Sequence, residues 1–263
     1  MDLGIGGKVA VITGASSGIG RAAAEELLAE GATILMSDLD EDELRQTAGE
    51  VGRAETCAAD LTQPDGVQSL LKAAEGMGGA DILVHAAGIT GAKGDPLEMT
   101  DEDWEKTWQT NFMSAVRMTR AFVPVMVDKG WGRVVCVTSE NAVQSYPDEV
   151  VYNASKAALL NYLKGLSLPY GPKGVRINSV MPAFIETPMT DGMMEKRAEE
   201  EGVSFDEAIQ SFLKEERPYL TLGRRGQTKE VAAVIALLCS ERASFTNGSA
   251  YRVDGGAVVG MNT

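Results

Sequence analysis

Short apolar runs alternate with stretches of helical periodicity along most of this chain. Lys8 to Thr13, Ala32 to Ser37, Ala54 to Ala59, Asp81 to Ala86 and Arg133 to Ser139 are compact apolar segments of strand length. Between them, Arg21 to Glu30 places Ala23, Leu27 and Leu28 on one helical face, and Asp40 to Val51 reads as a second helix. Thr100 and Asp103 have the spacing of a capping box and open a long helix whose apolar stripe runs Trp104, Trp108, Phe112, Ala115, Phe122 and Met126. Gln227 to Ser240 is a further amphipathic helix, and Ser249 to Val253 reads as a late strand. Arg133 to Ser139 is apolar enough to be covered on both faces, as parallel strands are. The pattern predicts an α/β domain with helices on both sides of the sheet, and 263 residues suit one such domain better than two.

The polar residues at the ends of these strands carry the candidate chemistry. The first strand runs into Gly14-Ala-Ser-Ser-Gly18-Ile-Gly20 and then a helix. Glycines let a backbone approach a pyrophosphate, and a helix start offers it unpaired N–H groups and a positive dipole end. Asp38 ends the second strand, about 20 residues beyond the glycines, where a carboxylate accepts from ribose hydroxyls and repels a 2′-phosphate. No basic residue stands at Ser17 or directly after Asp38, so NAD is expected rather than NADP, unless Asp38 merely opens the acidic loop that follows. Asp60 is a second acid at a strand end, and it competes with Thr62 and Pro64 to start the next helix. His85, the only histidine, is a weak candidate base with no companion nearby in sequence. Asn111 is either a clamp between helix and sheet or part of a polar relay. Ser139 closes the fifth strand thirteen positions before Tyr152. Tyr152 and Lys156 share a helical face, where a cation would favour the phenolate and bring proton transfer within reach of neutral pH.

Charge and composition narrow the partners. A net charge of −14 disfavours nucleic acid and anionic membrane surfaces, both of which would repel this chain. Cys57, Cys136 and Cys239 are too dispersed for a disulfide framework or a metal cluster, and no metal site is expected. Met1 to Gly7 leads directly into the first strand, with no leader pattern and no membrane-length apolar run, which makes a cytoplasmic home the expectation.

Taken together, Thr13-Gly14-x-x-x-Gly18-x-Gly20, Asp60, Asn111, Ser139 and Tyr152-x-x-x-Lys156 resemble, in order and spacing, the short-chain dehydrogenases/reductases. Arg176 to Pro182 is similar to that family's sixth strand and turn, and Val253-Asp254-Gly255-Gly256 to its C-terminal signature. The resemblance covers nearly the whole chain. It implies a single doubly wound Rossmann domain over residues 1–263, with a seven-stranded, mostly parallel sheet and a small helical lid over about 187–222. It implies Asn111, Ser139, Tyr152 and Lys156 as catalytic residues. Tyr152 would exchange a proton with substrate oxygen, Ser139 would position that oxygen, Lys156 would favour the phenolate and hold the nicotinamide ribose, and Asn111 would support a water relay. NAD would lie against Gly14, Ser16, Ser17, Gly18, Ile19, Gly20, Asp38, Asp60, Leu61, Ala86, Gly88, Tyr152, Lys156, Ile185 and Thr187. A homotetramer is implied in the same way. Three positions depart from the family pattern. His85-Ala86-Ala87-Gly88 replaces Asn-Asn-Ala-Gly, Pro182-Ala183 replaces Pro-Gly, and Pro169 falls late in the active-site helix. Side-chain hydrogen bonds that steady the turn after the fourth strand must therefore come from elsewhere.

Substrate preference is expected between Thr187 and Leu222. Ser204-x-x-Glu207 begins an amphipathic helix there, with Phe205, Ala208, Ile209, Phe212 and Leu213 on its underside. Met189, Met193 and Met194 offer an adaptable apolar wall, and Val143, Tyr146 and Phe184 are further candidates. The expected reaction interconverts a secondary alcohol and a ketone, on a largely apolar or alicyclic substrate. Two rivals are a 3-oxoacyl thioester reductase, disfavoured by Asp38 and the acidic surface, and a nicotinamide-binding regulator without chemistry, disfavoured by the intact Ser139, Tyr152, Lys156 and Asn111.

Overall fold

The computed structural model describes residues 2–261. Seven strands form one sheet in the order β3-β2-β1-β4-β5-β6-β7. They are β1 (Val9–Thr13), β2 (Thr33–Ser37), β3 (Ala54–Thr56), β4 (Ile82–His85), β5 (Gly132–Val137), β6 (Val175–Pro182) and β7 (Ala250–Val253). Each neighbouring pair is parallel, so the expected mostly parallel sheet is parallel throughout. The order reverses direction between β1 and β4, and ligands of such sheets gather at that crevice, beyond the strands' C-terminal ends. Thr13, Ser37 and His85 share one register level at that edge.

Helices cover both faces because β1, β4 and β5 are buried on both faces and cannot meet water on either side. On one face α1 (Gly18–Ala29), α2 (Glu41–Val51) and α9 (Thr228–Cys239) pack over Ile12, Ile34 and Val84. On the other, α3 (Pro64–Gly76), α5 (Ser114–Asp128) and α6 (Val150–Tyr170) pack over Val11, Leu83 and Val134. Pro169 sits in the last turn of α6 without ending it. The long helix expected from Thr100 does start with a capping box, as α4 (Asp101–Trp108), but it then passes through a π-helical turn, Gln109–Met113, before α5. One extra residue in that turn shifts the apolar stripe, leaving Trp104 at the surface and driving Asn111 fully inside.

The lid is two helices, α7 (Pro188–Glu201) and α8 (Phe205–Glu215), with a small core of their own built on Phe184, Met194, Phe212 and Leu213. Both begin with capping boxes, Thr187 with Thr190 and Ser204 with Glu207. Among the described residues no helix is long and apolar enough to cross a membrane, and no cluster of His, Cys, Asp or Glu is arranged to hold a metal ion.

Candidate active site

A single cleft of about 480 Å³ runs along the sheet edge from Asp38 to Tyr152 and under the lid. Its two ends are built differently.

The first end is backbone. Gly14 (φ +64°) and Gly18 (φ +55°) hold left-handed conformations that other residues resist. A Cβ on Gly20 would lie 2.0 Å from the Gly14 carbonyl oxygen, so the turn folds tightly only with glycine there. The start of α1 faces the cleft. Asp38 is fixed by two backbone donors, Ser16 N–H to Oδ2 (3.0 Å) and Leu39 N–H to Oδ1 (2.8 Å). Asp60 does not cap α3, which starts from Gln63 with Pro64 in its first turn; its Oδ1 instead accepts from the backbone and hydroxyl of Thr62. Gly14, Ser17, Gly18, Ile19, Gly20, Asp38, Asp60, Leu61, Ala86, Gly88, Tyr152, Lys156, Ile185 and Thr187 all line the cleft. Ser16 does not. Its side chain is buried with an unpartnered hydroxyl, and its contribution is the N–H that orients Asp38 and the carbonyl that accepts from Thr47.

The turn after β4 is steadied by the residue that departs from the family pattern. Ser114 has one hydroxyl hydrogen and gives it to the Thr110 carbonyl, so it accepts from His85 Nε2 (3.1 Å). His85 Nδ1 is then an acceptor for the Thr13 hydroxyl (2.9 Å), and Thr13 in turn accepts from Ala87 N–H (3.3 Å). Burial lowers the His85 pKa to about 3, with the Lys156 charge adding to it, which keeps the ring neutral and structural. Asn111 holds the next residues, accepting from Ile89 N–H (2.8 Å) and donating to the Ile89 carbonyl (2.9 Å) and Ser155 (3.1 Å). It makes no direct bond to Lys156. A Cβ on Gly88 would nevertheless contact both the Asn111 amide oxygen and the Lys156 amine, so the two side chains flank one small space.

The second end is built from side chains. Lys156 Nζ donates to the Val137 carbonyl (3.0 Å) and lies 5.6 Å from the Tyr152 ring centre. Burial draws its pKa down to about 8. The Tyr152 phenol moves opposite to the expected depression. Burial raises its pKa and the Glu140 carboxylate adds to the rise, against a hydrogen bond from Ser139 and the Arg217 charge, so the surroundings favour the protonated phenol. Ser139 is the start of a 3₁₀ turn, Glu140–Ala142, and its hydroxyl is 2.9 Å from Glu140 Oε2 and 3.0 Å from Asn141 Oδ1. Glu149 accepts from Lys93 (2.6 Å), Asn141 (2.6 Å) and Arg217 (3.1 Å). Burial works to raise the Glu149 pKa, but these cations and donors outweigh it and the net shift is downward. Arg217 comes from just beyond α8, stacks 3.5 Å over the Tyr146 ring and thereby ties the lid to the loop that carries Ser139.

Glu140, Asn141, Glu149, Lys93 and Arg217 are the residues that sequence reading missed. All five line the cleft. Glu140 and Asn141 carried a signal, two polar residues directly after Ser139 at the sheet edge; Lys93 and Arg217 carried none. The lid supplies the expected apolar wall through Phe184, Met189, Met193 and Phe212, while the opposite wall, beside Tyr152, is polar and charged. Met194 is buried in the lid's own core, Val143 is exposed outside the cleft, and Tyr146 lies beneath Arg217.

The profile of the family described as enoyl-(acyl carrier protein) reductase matches residues 14–258. The chain belongs to the short-chain dehydrogenase/reductase family. This short-chain dehydrogenase/reductase is 33% identical to a 3-oxoacyl-[acyl-carrier-protein] reductase of Thermotoga maritima, over 96% of this chain and 98% of the relative. Its fold is similar to that of L-sorbose reductase from Gluconobacter frateurii, solved with NADPH and L-sorbose, at a TM-score of 0.93 and 37% identity, covering 99% of this chain and all of the other. It is also similar to a 3-ketoacyl-(acyl-carrier-protein) reductase from Brucella melitensis solved with NADH, at a TM-score of 0.85 and 29% identity, covering 96% and 99% of the two chains. The protein is an oxidoreductase of this family.

Proposed function

We propose that this enzyme interconverts a secondary alcohol and a ketone on a polyhydroxylated, sugar-like substrate, with NAD(H) as cofactor. The observation that carries the substrate class is the polar wall beside Tyr152, where Glu140, Asn141, Glu149 and Arg217 are all buried and line the cleft. A hydrocarbon substrate would leave those charges facing an apolar surface, whereas vicinal hydroxyls match carboxylate acceptors and guanidinium donors. An alicyclic substrate fits the lid wall alone. The sorbose reductase supports the sugar-like reading as a relative of high structural similarity.

The cofactor end suits a dinucleotide on the chain's own evidence, since Gly14, Gly18 and Gly20 line the cleft at the start of α1 and a Cβ on Gly18 would reach Thr187 across it. Around its far end stand Asp38, Leu39, Asp60, Leu61 and Thr62, two acids and no base, which supports NAD over a 2′-phosphorylated cofactor. The bound nicotinamide supplies the hydride donor or acceptor. In ketone reduction Tyr152 gives its phenolic proton to the substrate oxygen, Ser139 polarises that oxygen, and Lys156 places a positive charge beside both. In alcohol oxidation the proton returns to Tyr152.

A 3-oxoacyl carrier reductase is the second reading, favoured by the Thermotoga and Brucella relatives. The net charge of −14 opposes docking of an acidic carrier, and Asp38 opposes NADPH. Absorbance at the NAD(P)H band, measured with hexitols and ketoses, alicyclic ketones and 3-oxoacyl thioesters, separates these readings. Highest kcat/KM on ketoses with NADH is expected; a preference for cyclohexanones or thioesters would refute the substrate class.

A further inference from the structure

We propose that Glu140 is a positioning residue that controls whether Ser139 can donate its hydroxyl hydrogen to the substrate oxygen. The inference rests on the roles of Ser139 and Tyr152 given above and adds a residue to them. A proton inventory motivates it. Ser139 has a single hydroxyl hydrogen and three acceptors that compete for it, Glu140 Oε2 (2.9 Å), Asn141 Oδ1 (3.0 Å) and the Tyr152 phenol, and its oxygen already accepts from Asn141 N–H (3.2 Å). Asn141 cannot turn its amide to relieve this, because both its N–H groups are spent on Glu149 and Asn153. A substrate carbonyl needs a donor. While Glu140 is ionised it holds the Ser139 hydrogen in a charge-assisted bond that a neutral carbonyl does not displace. When Glu140 is protonated it becomes the donor to Ser139 Oγ, and the Ser139 hydrogen has only neutral competitors, the Asn141 amide and the Tyr152 phenol. No proton leaves Glu140 during turnover; the transferred proton is that of Tyr152.

The surroundings make both states accessible. Glu140 is 3% exposed. The charged and titratable groups that face it are Arg217 from the end of the lid, Glu149 and Tyr152 from the start of α6, and Tyr146 from the intervening loop, with Lys93 reaching the far side of Glu149. Arg217 is shared unequally, 3.1 Å from Glu149 and 3.7 Å from Glu140, so Glu140 is the less compensated of two buried carboxylates. Burial pushes its pKa up to about 7, against Arg217 and the Ser139 hydrogen bond. Glu140 is therefore neutral below that pH and ionised above it. Because ionised Glu140 also raises the Tyr152 pKa, the same protonation that frees Ser139 removes a negative charge from beside the phenol.

The test is a pH profile of kcat/KM for ketone reduction with NADH between pH 5.5 and 9, using L-sorbose or the best ketose of the substrate panel, for wild type and Glu140→Gln. The glutamine amide donates permanently to Ser139. Wild type is expected to lose roughly tenfold between pH 6 and pH 8, with a midpoint near 7. Glu140→Gln is expected to stay level until the fall near pH 8 that belongs to Lys156. Persistence of the lower limb in Glu140→Gln would overturn the proposal. A substrate-free measurement stands beside it, the titration of carboxyl-13C glutamate by NMR. One resonance is expected to titrate near neutrality, to vanish in Glu140→Gln, and to move to higher pH in Arg217→Gln, which removes a stabilising cation without touching Glu140. A Glu140 resonance titrating in the ordinary carboxylate range would overturn the proposal even if Glu140→Gln failed to fold for kinetics. Lack of turnover on every ketose would refute the substrate class while the carboxyl titration still decides the role of Glu140.

Discussion

The two ends of the cleft differ in what they are made of. At the dinucleotide end, shape comes from main chain: Gly14, Gly18 and Gly20 fold one short turn between β1 and α1, and Asp38 is held by the N–H groups of Ser16 and Leu39. At the substrate end, Lys93, Glu140, Asn141, Glu149 and Arg217 converge from separate segments, and their positions depend on one another through hydrogen bonds and ion pairs. The dinucleotide end is thus a local structure that tolerates change elsewhere. The substrate end is a network, in which loss of one member leaves another charge buried without its partner.

Variants can test that contrast. Tyr152→Phe, at the junction of the two ends, should have the largest effect, cutting kcat by about 10²- to 10⁴-fold for the lost proton exchange while NADH fluorescence still reports binding. Turnover near the wild-type rate would remove Tyr152 from its role. Arg217→Met breaks the network at the point where the lid meets the Ser139 loop. We expect a stability loss of about 3–5 kcal/mol in urea unfolding, because Glu149 and Glu140 lose a buried cation, together with a raised KM for the ketose and unchanged NADH affinity. Unaltered stability would mean that the lid does not depend on this ion pair. Asp38→Ser strikes only the dinucleotide end. It should reduce the preference for NADH over NADPH by about ten- to a hundredfold, the worth of a hydrogen bond to a charged group, and leave the ketose KM alone. An enzyme that already prefers NADPH as wild type would refute the reading of Asp38.

Tyr152 shows how spacing along a helix and packing around it can push a phenol in opposite directions. Spacing to Lys156 suggested a phenol pulled toward phenolate. In the folded chain Lys156 spends a hydrogen bond on the Val137 carbonyl, and burial plus the Glu140 carboxylate dominate. A helical repeat reports which residues share a face, but desolvation and the third neighbour are properties of the packed interior. His85 makes the same point from the other side. Sequence marked it as a departure and a weak base, whereas its ring bridges Thr13 and Ser114 and replaces the hydrogen bonds that the turn after β4 required.

The sequence alone determined the alternation of strands and helices, the glycine turn, the acid at the end of β2 and the pairing of Tyr152 with Lys156, because each rests on contacts between residues close together in the chain. Ser139 was legible too, since a strand end and the following helix start can be placed from local pattern. Only the tertiary structure decided the polar wall of the substrate pocket. Lys93 and Arg217 lie far from Ser139 in sequence, and a charged side chain on a surface helix or loop looks the same in sequence whether it meets water or folds back over a buried carboxylate. It is the two-helix lid and the 3₁₀ turn after β5 that bring those charges inside, and long-range packing of that kind leaves no periodic trace in the chain.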